Sequence, residues 1–131
     1  MSHSSDIEVL SESIGEGLTA SKGSTVRFSA RLFLRRGDEV TSDFKTIERY
    51  GNRIPTREVE GVKLIEHSTV LGKRQTIAGI ERMLVGLSAG SYREAVIPPH
   101  LAYGRKGLGD QIPAGAMIRA KVWVHDVDHD A

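Results

Sequence analysis

From Thr25 to Leu34 the side chains alternate, with Val26, Phe28, Ala30 and Leu32 on one side and Arg27, Ser29 and Arg31 on the other. A period of two with one apolar face predicts a half-buried strand. Met117 to Val127 repeats the pattern through Ile118, Ala120, Val122 and Val124, and Tyr92 to Ile97 predicts another strand. Ile7 to Leu10 predicts a short edge strand, Glu39 to Ser42 a return strand after the polar turn at Arg35–Asp38, and Lys63 to Leu71 resumes β-branched content. Thr76 to Leu87 follows a different period. Ile77, Ile80, Leu84 and Leu87 recur every three or four residues and predict the chain's one helix, with Thr76 as its N-cap.

Residues 43–63 fit neither period. They carry many charges around Tyr50-Gly-Asn-Arg-Ile-Pro55, and either an excursion with its own hairpin or a mobile loop is open. One helix cannot cover both faces of a parallel sheet. The expected class is therefore α+β, an antiparallel sheet wrapped over the helix. The expected organisation is one domain over residues 7–128, a disordered leader at 1–6 and a tail at 129–131.

Composition narrows the function classes. Eighteen basic residues against 17 acidic give a net charge of +1, too balanced for an electrostatically driven nucleic-acid binder. The absence of cysteine excludes a disulfide framework and thiolate zinc sites. No run approaches the ~18 apolar residues of a membrane span, so a cytoplasmic protein without nucleic-acid or membrane partners is expected. The tract His125, Asp126, Asp128, His129 and Asp130 reads as a solvated tail and not as a metal site, and His100 as a surface turn residue. Trp123 should point off the outer face of the sheet, either exposed or packed under the 43–63 segment or another subunit.

The candidate chemistry lies in Ile97-Pro-Pro-His-Leu-Ala-Tyr-Gly-Arg-Lys-Gly-Leu-Gly-Asp-Gln-Ile112. Pro98 and Pro99 end a strand because they cannot donate to a ladder, and Gly104, Gly107 and Gly109 permit tight turns. Such a loop can hold one phenol and one aliphatic side chain over a shallow apolar cavity, or it can be an ordinary connection.

Five segments in order carry a resemblance. Val70-Leu-Gly-Lys73 leads into Ile77-Ala-Gly-Ile-Glu81, followed by Leu87-Ser-Ala-Gly90, Ile97-Pro-Pro-His-Leu-Ala-Tyr-Gly104 and Ile112-Pro-Ala-Gly-Ala116. From Ile7 to Val127, interrupted by an insertion near 44–63, the chain resembles the FKBP-type peptidyl-prolyl isomerases. The resemblance implies a five- or six-stranded antiparallel sheet curled around one α-helix, with a ligand cavity between them. It implies that Tyr103 donates its hydroxyl to a substrate carbonyl. Ile77 would offer its backbone N–H to another carbonyl and its side chain to the proline ring, with Thr76 beside it. Ile112 would line the wall, and Phe28 stands where the family usually has tyrosine. The implied partners are proline-containing peptides or unfolded chains, and no cofactor or metal is needed.

The pocket positions depart from the family's pattern. Ile80 replaces the floor tryptophan, Val40 and Ala120 replace wall phenylalanines, and Thr41 replaces an acid. His67 falls at an aromatic wall position, and Leu108 takes a variable loop position. A phenylalanine-to-alanine hole costs about 3–5 kcal/mol in a core unless something fills it. The cavity is therefore expected to be wider, or plugged by Phe44 or Tyr50 from the insertion, or no longer catalytic. The expectation is weak or narrowed isomerase activity, without tight binding of the macrolides that inhibit the family. The alternative is a non-catalytic binding or chaperone module working through residues 43–63.

Overall fold

The computed structural model describes residues 6–129, so most of the leader (1–5) and the end of the tail (130–131) lie outside the described residues. The strands are β1 (Glu8–Ser13), β2 (Thr25–Leu34), β3 (Thr56–Val59), β4 (Val62–Ile65), β5 (His67–Val70), β6 (Tyr92–Ile97) and β7 (Ile118–Asp128). Helix α1 (Asp43–Tyr50) precedes β3, α2 (Ala78–Leu84) precedes β6, and a 3-10 turn covers Pro99–Leu101. Five strands form an antiparallel sheet in the order β1-β6-β7-β2-β5, and β3-β4 make a separate hairpin.

The alternation along β2 and β7 explains the core. Phe28 faces Val124, Ala30 faces Val122, Leu32 faces Ala120 and Leu34 faces Ile118. This inner face packs on Ile80, Met83 and Leu84 of α2. The outer face pairs Ser29 with Trp123, Arg31 with Lys121 and Phe33 with Arg119. There the Arg119 guanidinium sits 4.6 Å from the centroid of the Phe33 ring, a cation–π contact. Trp123 is half-buried, and its ring meets that of Tyr92 at 5.3 Å between centroids.

Helix α2 is shorter than its periodicity predicts. Ile77, not Thr76, is the N-cap, and its extended backbone (φ −61°, ψ 148°) delays the first turn. The chain leaves the helix at Val85, so the fully buried Leu87 joins the core from beyond its end. Gly79 lets the helix lie against the sheet, because a Cβ there would collide with the Ile97 side chain. Two charges on this helix are engaged: Glu81 accepts from the Gly72 N–H at 3.3 Å, and Arg82 pairs with Asp6 at 2.9 Å.

The insertion holds the largest departures. It is an excursion with its own hairpin, as one reading had it, but it also contains α1, so the fold has a second helix. Asp43 in the first turn and Arg49 in the last turn complement the helix dipole. The expected return strand at Glu39–Ser42 shrinks to one bridge between Phe33 and Glu39. The reason is local: the Thr41 hydroxyl takes the Leu32 N–H at 2.9 Å, a bond a strand neighbour would otherwise make. The run from Lys63 to Leu71 divides at Glu66, so that β4 belongs to the hairpin and β5 to the main sheet. Leu64 and Val59 are buried apart from the main core, and Ser29 donates its hydroxyl to the Ile65 carbonyl at 2.8 Å. The insertion is thus anchored against the outer side of β2.

Candidate functional site

A cavity of about 150 Å³ opens between the inner end of β2, the start of α1, β5 and the start of α2. Phe28, Ala30 and Leu32 come from β2, His67 from β5, and Thr76, Ile77 and Ile80 from the entry to α2. Tyr103 reaches it from the loop after the 3-10 turn, and Thr41, Ser42 and Asp43 close the remaining side. A cavity of this size has room for a ring as large as benzene.

Two hydrogen-bond donors border this space. Among the described residues, the Ile77 N–H donates to no protein acceptor, as befits an N-cap in extended conformation. The Tyr103 hydroxyl likewise has no hydrogen-bond partner among the described residues. Burial raises the Tyr103 pKa above its ordinary value of 10.0, so at neutral pH the phenol carries its proton and can donate. The loop is held by backbone bonds from Gly104 N–H to the Pro99 carbonyl (2.8 Å) and from Gly107 N–H to the Tyr103 carbonyl (3.0 Å). Gly107 is required here, since it has φ +66° and a Cβ would strike the Ile112 carbonyl.

The opposite side is polar. Asp43 is 5% exposed, and its Oδ2 accepts from the Ile65 N–H at 2.9 Å. Its Oδ1 lies 3.6 Å from His67 Nε2. His67 stacks on Phe28 with centroids 5.4 Å apart at 32°. Thr41 donates to Glu39 Oε2 at 2.8 Å, and Glu39 is held by Arg31 through two further bonds. That guanidinium keeps the Glu39 carboxyl below its ordinary range.

Seven of the sequence-predicted site residues therefore meet at one cavity: Phe28, Thr41, His67, Thr76, Ile77, Ile80 and Tyr103. Four do not reach it. Ala120 is fully buried opposite Leu32, and Leu32 lines the space in its place. Ile112 is buried beneath the loop, and Leu108, bonded to the Ile112 carbonyl at 2.8 Å, is 47% exposed. Val40 packs half-buried against the core. Phe44 and Tyr50 do not plug the cavity; they are absent from its lining and are 42% and 44% exposed. The insertion delivers a carboxylate instead. Asp43 escaped the sequence reading, though Ser42-Asp43 ahead of an amphipathic stretch is a helix-start signal.

The tail reading also changes. His125 lies in β7, with Nε2 2.9 Å from the Ser29 hydroxyl, and His129 Nδ1 is 2.9 Å from that of Ser24. Among the described residues, no group of three or more potential metal ligands comes together.

The sequence profile of FKBP-type peptidyl-prolyl cis-trans isomerases matches residues 17–124. The chain belongs to this family. Among similar proteins, FK506-binding protein 1A of Neurospora crassa is 33% identical over 84 residues, which is 64% of this chain and 68% of that protein. The peptidyl-prolyl cis-trans isomerase FKBP10 of Homo sapiens is 40% identical over 65 residues, 50% of this chain but only 11% of the relative's length. FK506-binding protein 2B of Rhizopus delemar is 48% identical over 48 residues, 37% of this chain and 23% of that protein. In this FKBP-type domain the profile match takes in the loop bearing Tyr103, both helices and the whole insertion.

Proposed function

We propose that the protein is a peptidyl-prolyl cis-trans isomerase acting on X-Pro bonds of peptides or unfolded chains. One observation carries the reading: two unpartnered donors, the Tyr103 hydroxyl and the Ile77 N–H, border a ring-sized cavity floored by Phe28, Ile77 and Ile80. An amide resists rotation by ~18–20 kcal/mol through its partial double bond. Rotation reduces the charge separation of that bond, so a dry pocket disfavours the planar form relative to the twisted one. In this proposal the prolyl ring sits on Ile77, Ile80 and Phe28, while the two donors hold flanking carbonyls in register. No proton moves and no bond breaks, so the chemistry calls on no acid, nucleophile or metal.

The activity is weak or narrowed in this reading, because Ile80 gives less contact area than a large aromatic floor would, and Val40 and Ala120 contribute no ring. The same substitutions argue against tight macrolide binding. Among the described residues no helix is long and apolar enough to cross a membrane. A cytoplasmic setting remains part of the proposal. The test is a protease-coupled isomerase assay on an X-Pro tetrapeptide, in which a rate above the uncatalysed one is expected. A rate equal to the blank from folded protein would favour the second reading, a non-catalytic binding module. The exposed Phe44 and Tyr50 on α1 are the observation that supports it.

A further inference from the structure

The isomerase reading leaves the polar side of the cavity without a task. Asp43 and His67 are the ionisable groups there besides the Tyr103 phenol. Asp43 is more than nine-tenths buried, yet among the described residues no lysine or arginine lies within 4.0 Å of it. Its Oδ2 is satisfied by the Ile65 N–H, while the 3.6 Å from Oδ1 to His67 Nε2 exceeds a hydrogen bond. The nearby acid Glu39 is in a different condition, since Arg31 neutralises it through a two-bond fork. A carboxylate with one oxygen held by a backbone N–H and the other lacking a hydrogen-bond partner can receive a cation arriving with a ligand.

We infer that Asp43 is a specificity-determining residue, selecting substrates that carry a lysine or arginine next to the proline. This rests on the isomerase reading above. The donors at Tyr103 and Ile77 fix the peptide backbone, and Asp43 Oδ1 receives the side chain of the neighbouring residue. Ser42 and Thr41 give that path a polar lining. The Ile65 N–H holds the carboxylate in place, so selectivity is built into the insertion and not into the sheet.

The experiment measures kcat/KM at pH 8 for tetrapeptides with Lys, Arg, Leu or Glu before the proline, and a second set with them after it. A charge-assisted hydrogen bond predicts an advantage of about tenfold for Lys and Arg over Leu in one of the two sets, with Glu the poorest. In Asp43→Asn the Lys-to-Leu ratio falls to near one, a quantity independent of the amount of folded enzyme. A wild-type ratio near one in both sets, or a ratio untouched by Asp43→Asn, overturns the inference. If no peptide is isomerised, the isomerase reading fails separately. The affinity of wild-type protein for the same peptides, by calorimetry, then decides on Asp43 by the same ratios.

Discussion

The two sides of the cavity are built on opposite principles. On the α2 side, Ile77 and Ile80 belong to a helix whose buried residues merge with the main core, and the polar groups presented there are unpartnered donors. On the α1 side, Asp43 comes from an insertion with its own small buried cluster, and the group presented is an acceptor. In the proposed function the first side gives a prolyl amide an apolar floor and donors for two carbonyls. The second varies the neighbourhood without disturbing that floor. A domain divided in this way can change which peptides it takes by altering an insertion, while the elements that would handle the amide stay fixed by core packing.

Leu84→Ala probes the core-bound side and should have the largest effect. The side chain is fully buried, and its truncation should cost about 2–5 kcal/mol in chemical denaturation. A cost below 1 kcal/mol would mean that α2 is far less integrated than its burial indicates. Tyr103→Phe removes one donor and no volume. It should lower kcat/KM roughly two- to tenfold, the worth of one hydrogen bond, with the denaturation midpoint nearly unchanged. An unchanged rate would take the hydroxyl out of the proposed site.

The insertion's anchor predicts a smaller, pH-dependent effect. Burial lowers the His125 pKa below 6.5, and the nearby Arg57 charge adds to the lowering. The folded state therefore binds its proton at lower pH than the unfolded chain. Stability is fully present above about pH 6.5 and falls as the pH drops towards the lower folded value. His125→Gln should flatten that slope, read as denaturation midpoints at pH 7.5 and 5.5; an unaltered slope would assign it to other groups. Phe44→Ala should do least, changing stability by no more than about 0.5 kcal/mol because the ring is exposed. A large loss of peptide affinity in that variant would shift the working surface from the cavity to α1.

What could be read in the sequence follows the same division. The strands expected at Thr25–Leu34 and Tyr92–Ile97 match their observed limits. Helix α2 was legible from its apolar stripe, but its start was not, since Thr76 has a capping side chain and the chain turns one residue later at Ile77. The family segments brought Tyr103, Ile77, Ile80 and Phe28 to one place. Ala120 and Ile112, carried over in the same way, are buried in the core and do not line this cavity. Helix α1 stayed hidden because its eight residues make only about two turns, too short a window for the period of Phe44, Ile47 and Tyr50 to stand out. Asp43 could not have been assigned from pattern alone, because its burial depends on the Ile65 N–H, 22 residues away.

The most direct test follows the backbone amide of Ile77 by heteronuclear NMR while an X-Pro tetrapeptide is added. The account predicts a saturable downfield shift of that amide as it acquires a carbonyl acceptor, in step with faster cis–trans exchange of the peptide's own signals. Shifts confined to α1 and the β3-β4 hairpin, with the Ile77 amide unmoved, would contradict it.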